Sequence, residues 1–111
     1  MDITVNQSGG ITVVSVAGRL DSNTSRALQE ALVPLADKDH PAIVVDCTHL
    51  SYVSSAGLRV FLMTAKPIHA SGGRFALAAV APQVRKILSM TGLDTVLDLH
   101  ESVQDALRAF G

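Results

Sequence analysis

The chain has no tryptophan and a single cysteine, Cys47. One thiol cannot close an internal disulfide, and Cys47 stands beside the apolar run Ile43-Val44-Val45, so it reads as a reduced, buried side chain of a cytoplasmic protein. An excess of one charge is also missing. Nine Lys and Arg against ten Asp and Glu leave a net charge of −1, and no basic run offsets it, which argues against capture of nucleic acid or of an anionic membrane surface. No apolar segment approaches the ~20 residues a bilayer requires, and no secretory leader pattern opens the chain. Membrane insertion is therefore not expected. Catalytic and metal signatures are absent as well. His40, His49, His69 and His100 are scattered without ligand spacing, and Ser54-Ser55 lacks the G-x-S-x-G context of a hydrolase nucleophile. Gly9-Gly10 and Gly72-Gly73 lack the spacing and the lysine of a phosphate loop. The expectation is a protein that is not an enzyme and holds no metal or cofactor; a phosphohistidine carrier using His49 is a distant alternative.

What is present is a chain of 111 residues, 48% hydrophobic, enough for one domain over 1–111 that buries roughly two thirds of its unfolded surface. Ile3 to Gln7 and Ile11 to Ala17 are rich in β-branched residues around the turn sequence Ser8-Gly9-Gly10, which predicts an opening hairpin. Leu28, Ala31, Leu32 and Leu35 draw one helical stripe, with Asp21 or Ser22 as the candidate cap and Pro34 as a kink or stop. Ala42 to Val45 is a short continuous apolar run, the expected core strand covered on both faces. Leu58, Phe61, Leu62 and Ala65 mark a second helix, with a kink at Pro67 and Gly72-Gly73 closing the segment. Phe75, Leu77 and Ala79 alternate as a strand. Pro82 opens a third helix along Val84, Ile87, Leu88 and Thr91, and Gly92 suits its left-handed cap. Val96 to Leu99 reads as a last strand, and Ser102-Val-Gln-Asp105 as a capping box before the stripe Val103, Ala106, Leu107 and Phe110.

The order is β-β-α-β-α-β-α-β-α, an α/β domain in which strands joined through helices run parallel. The loops Gly18 to Thr24, Cys47 to Ser55 and Val80 to Pro82 then leave carboxyl ends of strands and gather on one rim, the usual place for function in such sheets. At that rim Ser54 and Ser55 stand where a helix begins. Either serine caps the helix, contributing ~1 kcal/mol, or a hydroxyl is offered there to another protein, because a helix N-terminus also tolerates a phosphate. Ala56 and Gly57 are small enough to leave such a hydroxyl accessible, and equally suited to tight packing of helix on sheet. Asp21, Ser22 and Thr24 are candidates for a polar contact surface or for plain capping. Tyr52 and the segment Ala78 to Pro82 are candidates for its apolar part, with buried packing the expected role of most of them.

The segment Asp46-Cys47-Thr48-His49-Leu50-Ser51-Tyr52-Val53-Ser54-Ser55-Ala56-Gly57-Leu58 resembles the signature of the STAS domain, in particular of the bacterial anti-sigma factor antagonists. Gly18-Arg19-Leu20-Asp21 followed by Thr24, Gly72-Gly73 before a strand, and Val84 to Leu93 with its closing Gly-Leu support the likeness along nearly the whole chain. The resemblance implies a single STAS-type domain, a mixed sheet of four to five strands with helices mainly on one face. It also implies partner switching in transcription regulation: the unphosphorylated protein binds an anti-sigma factor serine kinase of the GHKL type, and phosphorylation releases it. A PP2C-type phosphatase would reverse the step. By motif position the phosphoacceptor is Ser55, and the implied partner-binding set is Asp21, Ser22, Thr24, Tyr52, Ser54, Ser55, Ala56 and Gly57. The family's common pattern is Asp-Ser-Ser-Gly-Leu, so Ser54 occupies the usual aspartate position, which makes it a rival phosphosite, and Ala56 that of the second serine. The alternative is a constitutive STAS interaction subunit of a transport ATPase complex, with no phosphorylation switch.

Overall fold

A computed structural model describes residues 1–111. Strands β1 (Asp2–Ser8) and β2 (Ile11–Leu20) form the expected antiparallel hairpin. Then follow α1 (Ser25–Ala36), β3 (Ala42–Val53), α2 (Ser55–Ala70), β4 (Arg74–Ala78), α3 (Pro82–Met90), β5 (Asp98–His100) and α4 (Val103–Phe110). The strands lie in the order β1-β2-β3-β4-β5, and every pair after the first is parallel because a helix carries each crossover.

Strand alternation divides the apolar residues between the two faces of the sheet. Ile43, Val45 and Cys47 of β3 face α1, α2 and α3, whose Leu28, Leu32, Phe61, Ile68, Val84 and Leu88 complete the main core. Val44 faces the other way, where α4 alone packs, with Ala106 against Ile11, Val44 and Ala78 and with Phe110 at its edge. The Arg74 guanidinium lies 4.4 Å over the Phe110 ring and donates to the Ala109 carbonyl, which ties the end of α4 to the sheet. Ser102 Oγ accepts the Asp105 N–H at 3.1 Å, the cap expected for this helix.

The carboxyl rim differs from the one the apolar pattern predicts. Residues 47–53, expected within a loop, are strand, and the loop expected over Gly18–Thr24 shrinks to the turn after Leu20. Ser15 to Leu20 pair with Asp46 to Val53 through two register shifts, so bulges absorb polar residues that interrupt the apolar run without interrupting the ladder. Leu50 and Val53 remain buried. β4, by contrast, stops at Ala78 opposite Asp46. The rim is therefore stepped: the turn after Leu20 shares its upper level with Ser54, while Ala79 to Ala81 leave the sheet lower down, where the Ala79 N–H donates to the His100 carbonyl.

Other departures have local causes. Helix α1 begins at Ser25 because Asp21 caps a turn of its own, its Oδ1 accepting the N–H groups of Asn23 and Thr24 at 2.9 and 3.2 Å. Pro34 does not stop α1, which continues to Ala36, and α2 runs past Pro67 to Ala70 as expected, just short of Gly72-Gly73; the carbonyls the two prolines leave unpaired belong to exposed residues, Glu30 and Met63. Thr91 is exposed beyond α3, its hydroxyl donating to the Ile87 and Leu88 carbonyls, and Gly92 takes the left-handed φ of +76°. Residues Leu93–Thr95 form a 3-10 turn that leaves Val96 exposed, so the last strand is Asp98–His100 and not Val96–Leu99.

Cys47 is buried as expected. Burial, reinforced by the Asp46 charge, pushes its thiol up to about 12, and its Sγ donates to the Val45 carbonyl at 3.6 Å. Thiolate is the reactive form, so a disulfide reagent is expected to label Cys47 only after denaturant unfolds the chain. Stoichiometric labelling of the native protein within minutes would contradict that burial.

Candidate functional site

The two serines at the start of α2 have different surroundings. Ser54 is extended, with φ −93° and ψ 175°, and its N–H donates to the Leu20 carbonyl at 2.8 Å, joining the ends of β2 and β3. Its half-buried Oγ accepts the Gly57 N–H at 3.4 Å, the capping bond of the helix. Ser55 is the first helical residue and is exposed; its N–H and that of Ala56 have no intramolecular acceptor. One hydroxyl holds the helix and the other is free. Ser54→Ala is expected to cost about 1 kcal/mol, a fall in Tm of roughly 4–8 °C, whereas Ser54→Asp keeps an acceptor at the cap and should restore the wild-type value. Thermal unfolding of the two variants checks this, and equal losses in both would show that the cap contributes nothing.

The Asp21 turn forms the neighbouring wall. Thr24 Oγ1 donates to the Arg19 carbonyl at 2.7 Å and accepts the Asp21 N–H at 2.9 Å. The Asn23 N–H, then the hydroxyl and N–H of Thr24 and the Arg19 charge 3.9 Å away, hold the Asp21 carboxyl below the usual aspartate range. A folded-state pKa below the unfolded value means that this turn gains stability above the unfolded pKa and loses it as pH falls through the folded one. The protection factors of the Asn23 and Thr24 amides, taken against intrinsic exchange at each pH, are therefore expected to fall as acid protonates Asp21, and Asp21→Asn should remove that dependence. Exchange with the same pH response in Asp21→Asn would rule out the carboxylate as the cause. Ser22 is exposed at the tip of the turn.

The remaining candidates separate. Ala56 is half-buried beside Ser55. Gly57 is buried against the sheet: a Cβ there would lie 2.6 Å from Leu20 Cγ and 2.9 Å from Val53 Cγ2, so the glycine allows α2 to pack closely on β2 and β3. Tyr52 lies on the opposite face, since the alternation that sends Leu20 and Val53 under α2 sends Arg19 and Tyr52 away from it. There the Arg19 guanidinium covers the Tyr52 ring at 4.2 Å. The segment Ala78 to Pro82 belongs to the lower step, with Ala78 and Val80 buried.

Pattern reading missed the groove in which Ser55 stands. Two ridges of i, i+4 spacing, Ser25 and Gln29 on α1 and Ser55, Arg59 and Met63 on α2, line a depression of about 310 Å³ with Ala56 and Val60. It continues along the helices past Val33, Met63 and Pro67, where Val33 and Met63 expose more than half of their surface. The four-residue spacing was present in the sequence, but nothing in one helix says which ridge its neighbour offers.

No helix is long and apolar enough to cross a membrane. The STAS domain profile matches residues 2–106. The anti-sigma-F factor antagonist RsfB of Mycobacterium tuberculosis is 30% identical over 105 residues, which cover 95% of this chain and 85% of RsfB. The crystal structure of an anti-sigma factor antagonist from Mycobacterium paratuberculosis matches with a TM-score of 0.89 and 31% identity, over 98% of this chain and 92% of that one. SpoIIAA of Bacillus in its phosphorylated form shares the fold, with a TM-score of 0.73 and 18% identity over 97% of this chain and 98% of that one. Sheet order, helix placement, profile and relatives agree, and the chain belongs to the STAS-domain family of anti-sigma factor antagonists.

Proposed function

We propose that the chain is the phosphorylatable member of a partner switch in the bacterial cytoplasm, a substrate and ligand with no catalysis of its own. Unphosphorylated, it binds an anti-sigma factor serine kinase of the GHKL type through the upper rim, where Ser22, the Asp21–Thr24 turn, Ser54, Ser55 and Ala56 adjoin the groove between α1 and α2. The kinase transfers the γ-phosphoryl group of ATP to Ser55 Oγ, the hydroxyl proton is lost and ADP leaves. The phosphorylated chain dissociates, and a PP2C-type phosphatase returns it to the binding form by hydrolysis.

The observation that carries this reading is the division between the two serines: Ser54 Oγ is engaged in the helix cap, and Ser55 is exposed at the first position of α2. A kinase active site reaches an exposed hydroxyl without unfolding the helix. The phosphate adds about −1.5 to −2 charges to a surface that must be desolvated against its partner. Burying that charge without a compensating cation is strongly unfavourable, and each 1.4 kcal/mol weakens binding about tenfold.

The test is to incubate the chain with a candidate anti-sigma factor kinase of the GHKL type from the same genome and ATP, and to map the product by mass spectrometry. Phosphate is expected on Ser55 in the wild type and in Ser54→Ala, and none in Ser55→Ala. Phosphate on Ser54, or an unmodified chain that stays bound to the kinase, would overturn the assignment; the second outcome fits a constitutive interaction subunit.

A further inference from the structure

Arg59 lines the same groove as Ser55 and belongs to none of the ion pairs or cation–π contacts of the chain. It is exposed, one helical turn after Ser55 on α2. A helical side chain leans toward the N-terminus and covers the turn before its own Cα, so residue 59 reaches over residue 55 across about 5–6 Å between Cβ atoms. An acid followed four residues later by a base is also the favoured orientation on a helix. The opposite wall offers Ser25 and the Gln29 amide. Charges on α1 and on the turn before it are already paired: Arg26 with Glu30 at 3.1 Å, and Arg19 with Asp21 at 3.9 Å. The groove therefore holds one uncommitted cation and no carboxylate to compete for it.

We infer that Arg59 is the internal counter-ion of a phosphate on Ser55, drawing it along the surface of α2 into the groove between α1 and α2. This rests on Ser55 as the modified residue. Phosphorylation then does more than add charge at the rim: it fills the depression beside Ser25 and Gln29 and occupies the guanidinium, so two features available to a partner disappear together. Arg59 is a positioning residue for the phosphoryl group.

The test does not need the kinase. Phosphoserine is inserted at position 55 of the full chain by codon reassignment, and its second ionisation, near pH 6 for a free phosphoserine, is followed by ³¹P NMR in wild type, Arg59→Gln and Arg59→Lys. The guanidinium favours the dianion, so the wild-type titration is expected at least about half a pH unit below that of Arg59→Gln, with Arg59→Lys between them because a lysine keeps the charge and loses the bidentate fork. Coincident curves for wild type and Arg59→Gln would overturn the inference. Failure of the kinase to modify Ser55 would undo the proposed function and leave this measurement readable.

Discussion

Phosphate on Ser55 is expected to weaken the complex with the GHKL kinase a hundredfold or more, about 3 kcal/mol. The upper rim presents hydroxyls, one capped carboxylate and small side chains, a surface that costs little to desolvate, and Ser55 stands in it exposed. A dianion there has to lose its hydration or hold the partner away. No refolding is needed. The exposed position at the start of α2 accepts the group while the core residues behind it, Leu20, Val53 and Phe61, stay in place. Titration calorimetry of the kinase with unphosphorylated and stoichiometrically phosphorylated chain measures the difference. Ser55→Ala should bind as the wild type does, and Ser55→Asp, with one charge for nearly two, should lose roughly tenfold. Affinities within threefold for the two forms would place the contact surface elsewhere on the domain.

Gly57→Ala is expected to destabilise the fold by about 2 kcal/mol, a drop in Tm of roughly 10 °C. The added methyl would stand 2.6 and 2.8 Å from Cγ and Cδ2 of Leu20 and 2.9 Å from Cγ2 of Val53. Those side chains are 0% and 2% exposed, so neither has room to turn aside. Alanine's better helix propensity returns at most ~1 kcal/mol, less than the overpacking. Relief comes only if the first turn of α2 lifts from the sheet, which would carry Ser55 with it. The variant should therefore also be phosphorylated more slowly while folded. A Tm within 2 °C of wild type would mean that α2 tolerates the methyl without shifting.

Much of the fold was legible because the apolar periods are clean. The Leu28, Leu32 and Leu35 stripe, the run Ile43 to Val45 and the Ser102 cap each took the expected structure. The extension of β3 was not legible, because Thr48, His49 and Ser51 look like loop residues until the bulges opposite β2 are known. A loop there would set Tyr52 and Ala78 to Pro82 on one rim with Ser55, although buried packing is the expected role of most of them and Ala78 and Val80 are indeed buried. Strand alternation puts Tyr52 on the other face, and the early end of β4 leaves the second group below the rim. For the serines, sequence offered two readings of one pair; the coordinates divide them, Ser54 to the cap and Ser55 to solvent. Gly57 was ambiguous in the same way, and proximity to Leu20 establishes the close packing. Arg59 shared a helix face with Ser55 from the outset, but its lack of a partner is a tertiary fact.

The proposed switch is tested most directly by adding Mg-ATP to the assembled complex of kinase and chain and following its integrity by size-exclusion chromatography. The wild-type complex is expected to come apart as Ser55 is phosphorylated, and the Ser55→Ala complex to persist under the same conditions. A Ser55→Ala complex that dissolves as fast as the wild type, or a wild-type complex that survives full phosphorylation, would contradict it.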